Sequence, residues 1–232
     1  MKNILAILEK QCRDTLKNKT VLIQFLMFPL LGIIMCNSIK LEGMPENFFV
    51  YLFATMFIGM APLTSVSAII SEEKEKNTLP VLLLANVTPL QYLIGIGSYV
   101  FAACMLGCVV FCILGHFTGM AAVEFLLILA VGVLCSISIG AAIGIFCKNQ
   151  MAATSITVPV MMIFSFLPMV SMFNETIAKI ARFTYSEQIR RLLESVGDLH
   201  PETKECVILA GNILIFVFLF MLAYWKRGLK AD

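Results

Sequence analysis

The residues able to do chemistry in this chain are few and concentrated. The densest set is the charged knot Glu72-Glu73-Lys74-Glu75-Lys76, set between two long apolar runs. Asn77, Thr78 and Pro80 follow it. Asn77 tolerates a left-handed backbone, as a tight entry to a helix requires. Thr78 can cap that helix, and Pro80 suits a first turn, where its missing N–H is not needed. Leu79, Leu82 and Leu83 then make one apolar face. A short helix with that stripe and a charged lead-in can seat in a groove on a soluble partner. The plainer alternative is a solvated loop whose charges only keep it out of the bilayer, and that leaves the apolar stripe unexplained.

Other candidates are weaker. Cys104, Cys108 and Cys112 stack on one helix face, where thiolates could bind a soft metal. Cysteine as a small apolar residue of a buried helix is the favoured reading. None of the eight cysteines forms a C-x-x-C pair, which argues against a disulfide framework. His116 and His200 fall in loops and no H-E-x-x-H motif occurs, so an intramembrane protease has little support. No charged residue lies in the middle of a span, where an ion-coupled transporter usually holds its proton or ion. Sodium can be bound by carbonyls and hydroxyls, so an ion-coupled secondary transporter or channel stays open as the alternative function. The sequence has no G-x-x-x-x-G-K-[ST] phosphate loop, so an ATPase driving it would be a separate polypeptide.

These residues must be positioned by membrane helices. The 232 residues are 59% hydrophobic and only 14% charged, where a soluble domain carries about 25% charge. The apolar residues fall in blocks of about 20, the length that crosses a bilayer core. The net charge of +2 is too small to suggest a nucleic-acid partner. The fold class is therefore all-α, a single polytopic membrane domain of six transmembrane helices. The first apolar run starts near Val21 and lacks a small-residue cleavage site, so no cleavable signal peptide is expected. Residues 1–19 predict an amphipathic helix in the membrane interface, with Ile4, Leu5, Leu8, Cys12 and Leu16 on one face; a frayed basic tail is the alternative. The spans are expected at Thr20–Ile39, Phe48–Ile70, Pro89–Leu114, Val123–Phe146, Met151–Phe173 and Cys206–Trp225. On the fourth, Gly132, Ser136, Gly140 and Gly144 form a small-xxx-small ladder that lets another helix approach closely.

Six spans put both termini on one side. Eleven Lys and Arg fall in segments on that side and six on the other, so the positive-inside rule places both termini in the cytoplasm. Residues 71–86 are then cytoplasmic and 174–205 face outward. The outer segment predicts two short helices, one with Ile177, Ile180 and Ala181, the other with Ile189, Leu192, Leu193 and Val196 at helical spacing. Gly197 is a plausible stop. They lie on the membrane surface or dip back as a re-entrant hairpin, and the second is preferred.

In this order of elements the chain resembles the membrane subunit of a type-2 ABC exporter. The family's coupling loop often reads E-[RK]-E-x-[GN]-T-[LM], then leucines, a proline and a Gly-Lys. Here it is Glu73-Lys74-Glu75-Lys76-Asn77-Thr78-Leu79, then Leu82-Leu83-Leu84, then Gly95. Asn86 replaces the first proline and Ile96 the lysine. Tyr185-Ser186-Glu187-Gln188-Ile189-Arg190 also resembles the family's outer segment, with Phe183-Thr184 in place of a frequent Asn-Pro. The resemblance implies a multi-pass protein of a bacterial plasma membrane that is not itself an enzyme. It implies pairing with a second copy or a homologous permease, and two cytoplasmic ABC ATPase subunits that hold ATP and Mg. It also implies that Glu72, Glu73, Lys74, Glu75, Asn77, Thr78, Leu79, Leu82 and Leu83 couple to them. The translocation path would run between spans one, two and five, with Gln24, Thr55, Thr64 and Ser155 as candidate lining residues.

Overall fold

The computed structural model describes residues 2–17, 19–38, 47–78, 87–197 and 203–227. They form helices α1 (Lys2–Lys17), α2 (Lys19–Ser38), α3 (Phe48–Glu75), α4 (Pro89–Leu114) and α5 (Gly119–Phe146). After these come α6 (Gln150–Ser171), α7 (Glu175–Ala181), α8 (Tyr185–Glu194) and α9 (Thr203–Arg227). Five of them, α3, α4, α5, α6 and α9, are long and apolar enough to cross a membrane. Helix α2 adds a further apolar stretch, Leu22–Ser38, which is shorter among the described residues.

The bundle is built around α3. It is apolar on every side, as a helix buried all round must be, and it packs against α2, α4, α5, α6 and α8. Its hydroxyls are satisfied locally: Thr55, Thr64 and Ser71 donate to the carbonyls of Tyr51, Met60 and Ser67 at 2.7, 2.8 and 2.8 Å. Other hydroxyls bind helices together. Ser67 meets Thr157 of α6 at 2.9 Å, and Ser165 of α6 donates to the Met56 carbonyl at 3.1 Å.

The ladder of α5 faces α3. A Cβ at Gly140 would stand 2.4 Å from the Leu63 carbonyl oxygen, and one at Gly144 2.9 Å from Ile70 Cβ, so the two helices meet nearly backbone to backbone. Ser136 donates to the Ile58 carbonyl. With its single hydrogen so used, Ser136 Oγ accepts from the Tyr185 hydroxyl. Gly132 rests on Ile58.

Several boundaries differ from the sequence reading. Helix α3 does not stop at Ile70 but runs through the charged knot to Glu75, because each charge finds a partner that keeps it in helix. Helix α5 begins at Gly119 and α9 runs Thr203–Arg227, each beyond the expected span. Thr88 and Gln91 form a capping box that opens α4, with Pro89 in the first turn. The outer segment holds two short helices, and α8 is no surface helix. Tyr185, Ile189 and Leu193 are fully buried, and α8 touches α3, α5, α6 and α9. The Tyr185 ring sits 4.8 Å from that of Phe164 and 5.5 Å from that of Phe216. Helix α1 lies against α4, where Ile7 covers Gly95.

Candidate functional site

At the charged end of α3, successive residues point about 100° apart, as a helix dictates, and each reaches a different helix. Glu73 turns inward and is 7% exposed. It accepts from Lys10 and from Gln11 Nε2, the latter at 2.8 Å, and so ties α3 to α1. The buried hydroxyl of Tyr92 on α4 is turned toward the same carboxylate. Neither that hydroxyl nor Glu73 Oε2 completes a hydrogen bond among the described residues.

Lys74 points the other way. Its Nζ donates to the carbonyls of Ile145 and Cys147, at 2.6 and 2.7 Å, which end α5. A cation there also complements the negative end of the helix dipole. Glu75 does the converse job for α6. Its Oε2 accepts from the Gln150 N–H at 2.8 Å, and Asn149 accepts from Ala152 N–H at 2.9 Å beside it. Glu72 stays on the outer side and pairs with Lys76 one turn on. That bond and the nearby negative charge raise the Lys76 ammonium pKa above its ordinary 10.5.

The helix then breaks sharply. Asn77 adopts a left-handed backbone, φ +52°, and its N–H bonds the Lys74 carbonyl at 3.1 Å. Thr78 Oγ1 donates back to the Glu73 carbonyl at 3.1 Å, which fixes the turn. Leu79, Leu82 and Leu83 lie outside the described residues. Glu73 and Glu75 are both engaged within the chain. What the knot makes is a junction, one helix end bound at once to α1, α5 and α6.

The candidate path residues divide. Gln24 Oε1 accepts from Ser65 at 3.2 Å and lies 3.4 Å from Thr64 Oγ1, so α2 and α3 share one polar patch. Thr55 is buried and spent on its own helix. Ser155 lies on the exposed side of α6, bonded to the Met151 carbonyl.

Sequence reasoning missed a second charged centre, on α8. Glu187 is 1% exposed. It accepts two bonds from Arg190, at 2.7 and 3.0 Å, one from Arg191 at 3.1 Å and one from Ser171 of α6 at 2.9 Å. Burial pushes its pKa up, but these bonds and the charges of the arginines outweigh burial and hold it below the ordinary 4.5. The spacing of Glu187, Arg190, Arg191 and Glu194 was the available signal; Ser171 was not.

Across the chain, residues 37–225 match the family model described as ABC-2 family transporter protein. No curated protein matches significantly.

Proposed function

The chain belongs to the ABC-2 family of transporter proteins, and on that footing we propose that it is the membrane subunit of an ATP-driven exporter, worked by separate ATPase chains docked on segment 71–86. The observation that carries this is the junction at the end of α3. A connector that only had to stay out of the bilayer would need no internal anchors. Here the first residues of the segment are tied to α1 through Glu73, to the end of α5 through Lys74 and to the start of α6 through Glu75. A displacement of the segment would therefore move several helices together.

In this reading α2 is the sixth span, both termini are cytoplasmic, and two membrane subunits enclose the path. Closure of the ATPases on ATP pushes on the segments and rocks the subunits, and cargo leaves the cell. The polar patch of Gln24, Thr64 and Ser65, with the exposed Ser155, lies on the helices expected to face the path. ATP and Mg are held by the partner.

The test replaces Leu79 and Leu83 together with Asp. One buried leucine contributes about 1.5–3 kcal/mol, so the variant should insert normally yet no longer co-purify with an ATPase. Retention of the ATPase and of normal transport would refute the docking role. Cargo movement on an ion gradient by the purified chain alone would favour an ion-coupled transporter instead.

A further inference from the structure

A cavity of about 520 Å³ opens where α8, the turn before it and the first turn of α9 meet, a size typical of small-molecule sites. Among the described residues, one wall carries three cations, Arg182, Arg191 and Lys204, and one carboxylate, Glu205. Glu187 does not compete for a ligand, since it is buried and turned to Arg190 and Ser171 as well as to Arg191 Nε.

A second observation points to a ligand. Gln188 lines this cavity and is 1% exposed. Its Nε2 donates to the Arg182 carbonyl, which fixes the amide's orientation. Its Oε1 has no partner among the described residues. A buried acceptor left so is destabilising, and a donor entering the cavity would relieve it. The remaining wall is apolar: Phe183 and Val207 line the cavity and are 66% and 64% exposed. They continue into the outward apolar side of α9, the least buried of the long helices.

We propose that this cavity binds a phosphodiester that also carries a hydroxyl donor, supplied by the headgroup of a phosphatidylglycerol-type lipid. Arg182 and Lys204 hold the phosphate, Gln188 Oε1 accepts from the headgroup hydroxyl, and the acyl chains run along Val207 and the open side of α9. A phosphate without an acyl chain would satisfy the same polar groups but leave the apolar wall bare.

The experiment uses the full chain, delipidated in detergent, with lipid binding read by native mass spectrometry. Charge-assisted bonds of this kind discriminate by about tenfold. Phosphatidylglycerol should therefore bind about tenfold more tightly than phosphatidylcholine, and also more tightly than phosphatidic acid, which lacks the headgroup hydroxyl. The double variant R182Q/K204Q, at exposed positions, should lose the preference over phosphatidylcholine while its melting temperature stays unchanged. Gln188→Leu should lose only the preference over phosphatidic acid; should it fail to fold, the comparison of the two lipids on the wild-type chain tests the donor alone. Displacement of phosphatidylglycerol by glycerol 3-phosphate at equal concentration would keep the phosphate site and overturn the lipid source. Equal binding of phosphatidylglycerol and phosphatidylcholine by the wild type, or an unchanged preference in R182Q/K204Q, would overturn the proposal.

Discussion

Gly140→Ala is the smallest change that tests how α5 meets α3. The added Cβ would lie 2.4 Å from the Leu63 carbonyl oxygen and 3.1 Å from Leu63 Cα. An unstrained carbon–oxygen contact needs about 3.3 Å, so the helices must separate by about 1 Å. Neither contacting atom belongs to a side chain that could turn away. The shift also spreads along a helix packed on every side, where a gap of that size forfeits part of each contact. The expected cost is about 3 kcal/mol, the upper end for overpacking. Two other glycines calibrate the argument. At Gly132 the new Cβ meets the tip of Ile58 at 2.5 Å and Ile189 Cγ1 at an ordinary 3.4 Å, both side-chain atoms, and at Gly211 it meets nothing within 4 Å. Thermal unfolding of the three variants in one detergent, with membrane abundance measured alongside, should rank Gly140→Ala as far the most damaging, Gly132→Ala as mild and Gly211→Ala as neutral. A Gly140→Ala protein with wild-type abundance and melting temperature would refute the close approach, and so would a Gly132→Ala protein that fares worse.

The α8 insertion makes its own predictions. Tyr185→Phe should cost about 1 kcal/mol, one hydrogen bond, because Ser136 still donates to Ile58; a loss above 3 kcal/mol in the same melting assay would mean the hydroxyl does more than this. Glu187→Gln leaves Arg190 without its buried partner and should cost about 3 kcal/mol near neutral pH. Since the folded Glu187 titrates below its ordinary 4.5, the stabilisation it confers is complete above that value and is lost as pH falls through the folded value. The gap in melting temperature between wild type and Glu187→Gln should therefore close on acidification, and a gap independent of pH would contradict the ion pair. At the junction, Lys74→Met should loosen the end of α5, raising hydrogen exchange around Ile145 and Cys147 while α9 keeps its protection; unchanged exchange would mean the clamp carries no load.

The elements most legible in the sequence are those whose ends are set by neighbours in the chain. Pro89–Leu114 matches at both ends, because a capping Thr88 and Pro89 open a continuous apolar run. The left-handed turn at Asn77 was readable for the same reason. The end of α3 was not. Five charges in a row read as solvent, yet three of them, Glu73, Lys74 and Glu75, find partners 63 to 75 positions away, at Lys10, Ile145 and Gln150. Periodicity carries no information about such contacts, and a helix that anchors its own charges can run on where an unpaired one would stop. The fate of α8 was half legible: its apolar stripe was clear, but that the stripe enters the bundle rests on Ser136 and Tyr185 meeting across it. The Gly ladder announced a close approach without naming α3 as the partner.

In the proposed function an ATPase sits against the turn that ends α3. A single cysteine at the exposed Asn77, or instead at the exposed Lys179, which follows the far end of α6, can carry a short photoactivatable cross-linker in a cysteine-free chain. After illumination of native membranes, mass spectrometry identifies what each position captures. The account predicts that Asn77→Cys captures one ATPase bearing a phosphate loop, that Leu79→Asp with Leu83→Asp abolishes the product, and that Lys179→Cys never yields it. Failure of Asn77→Cys to capture an ATPase, or equal capture from both positions, would contradict the account.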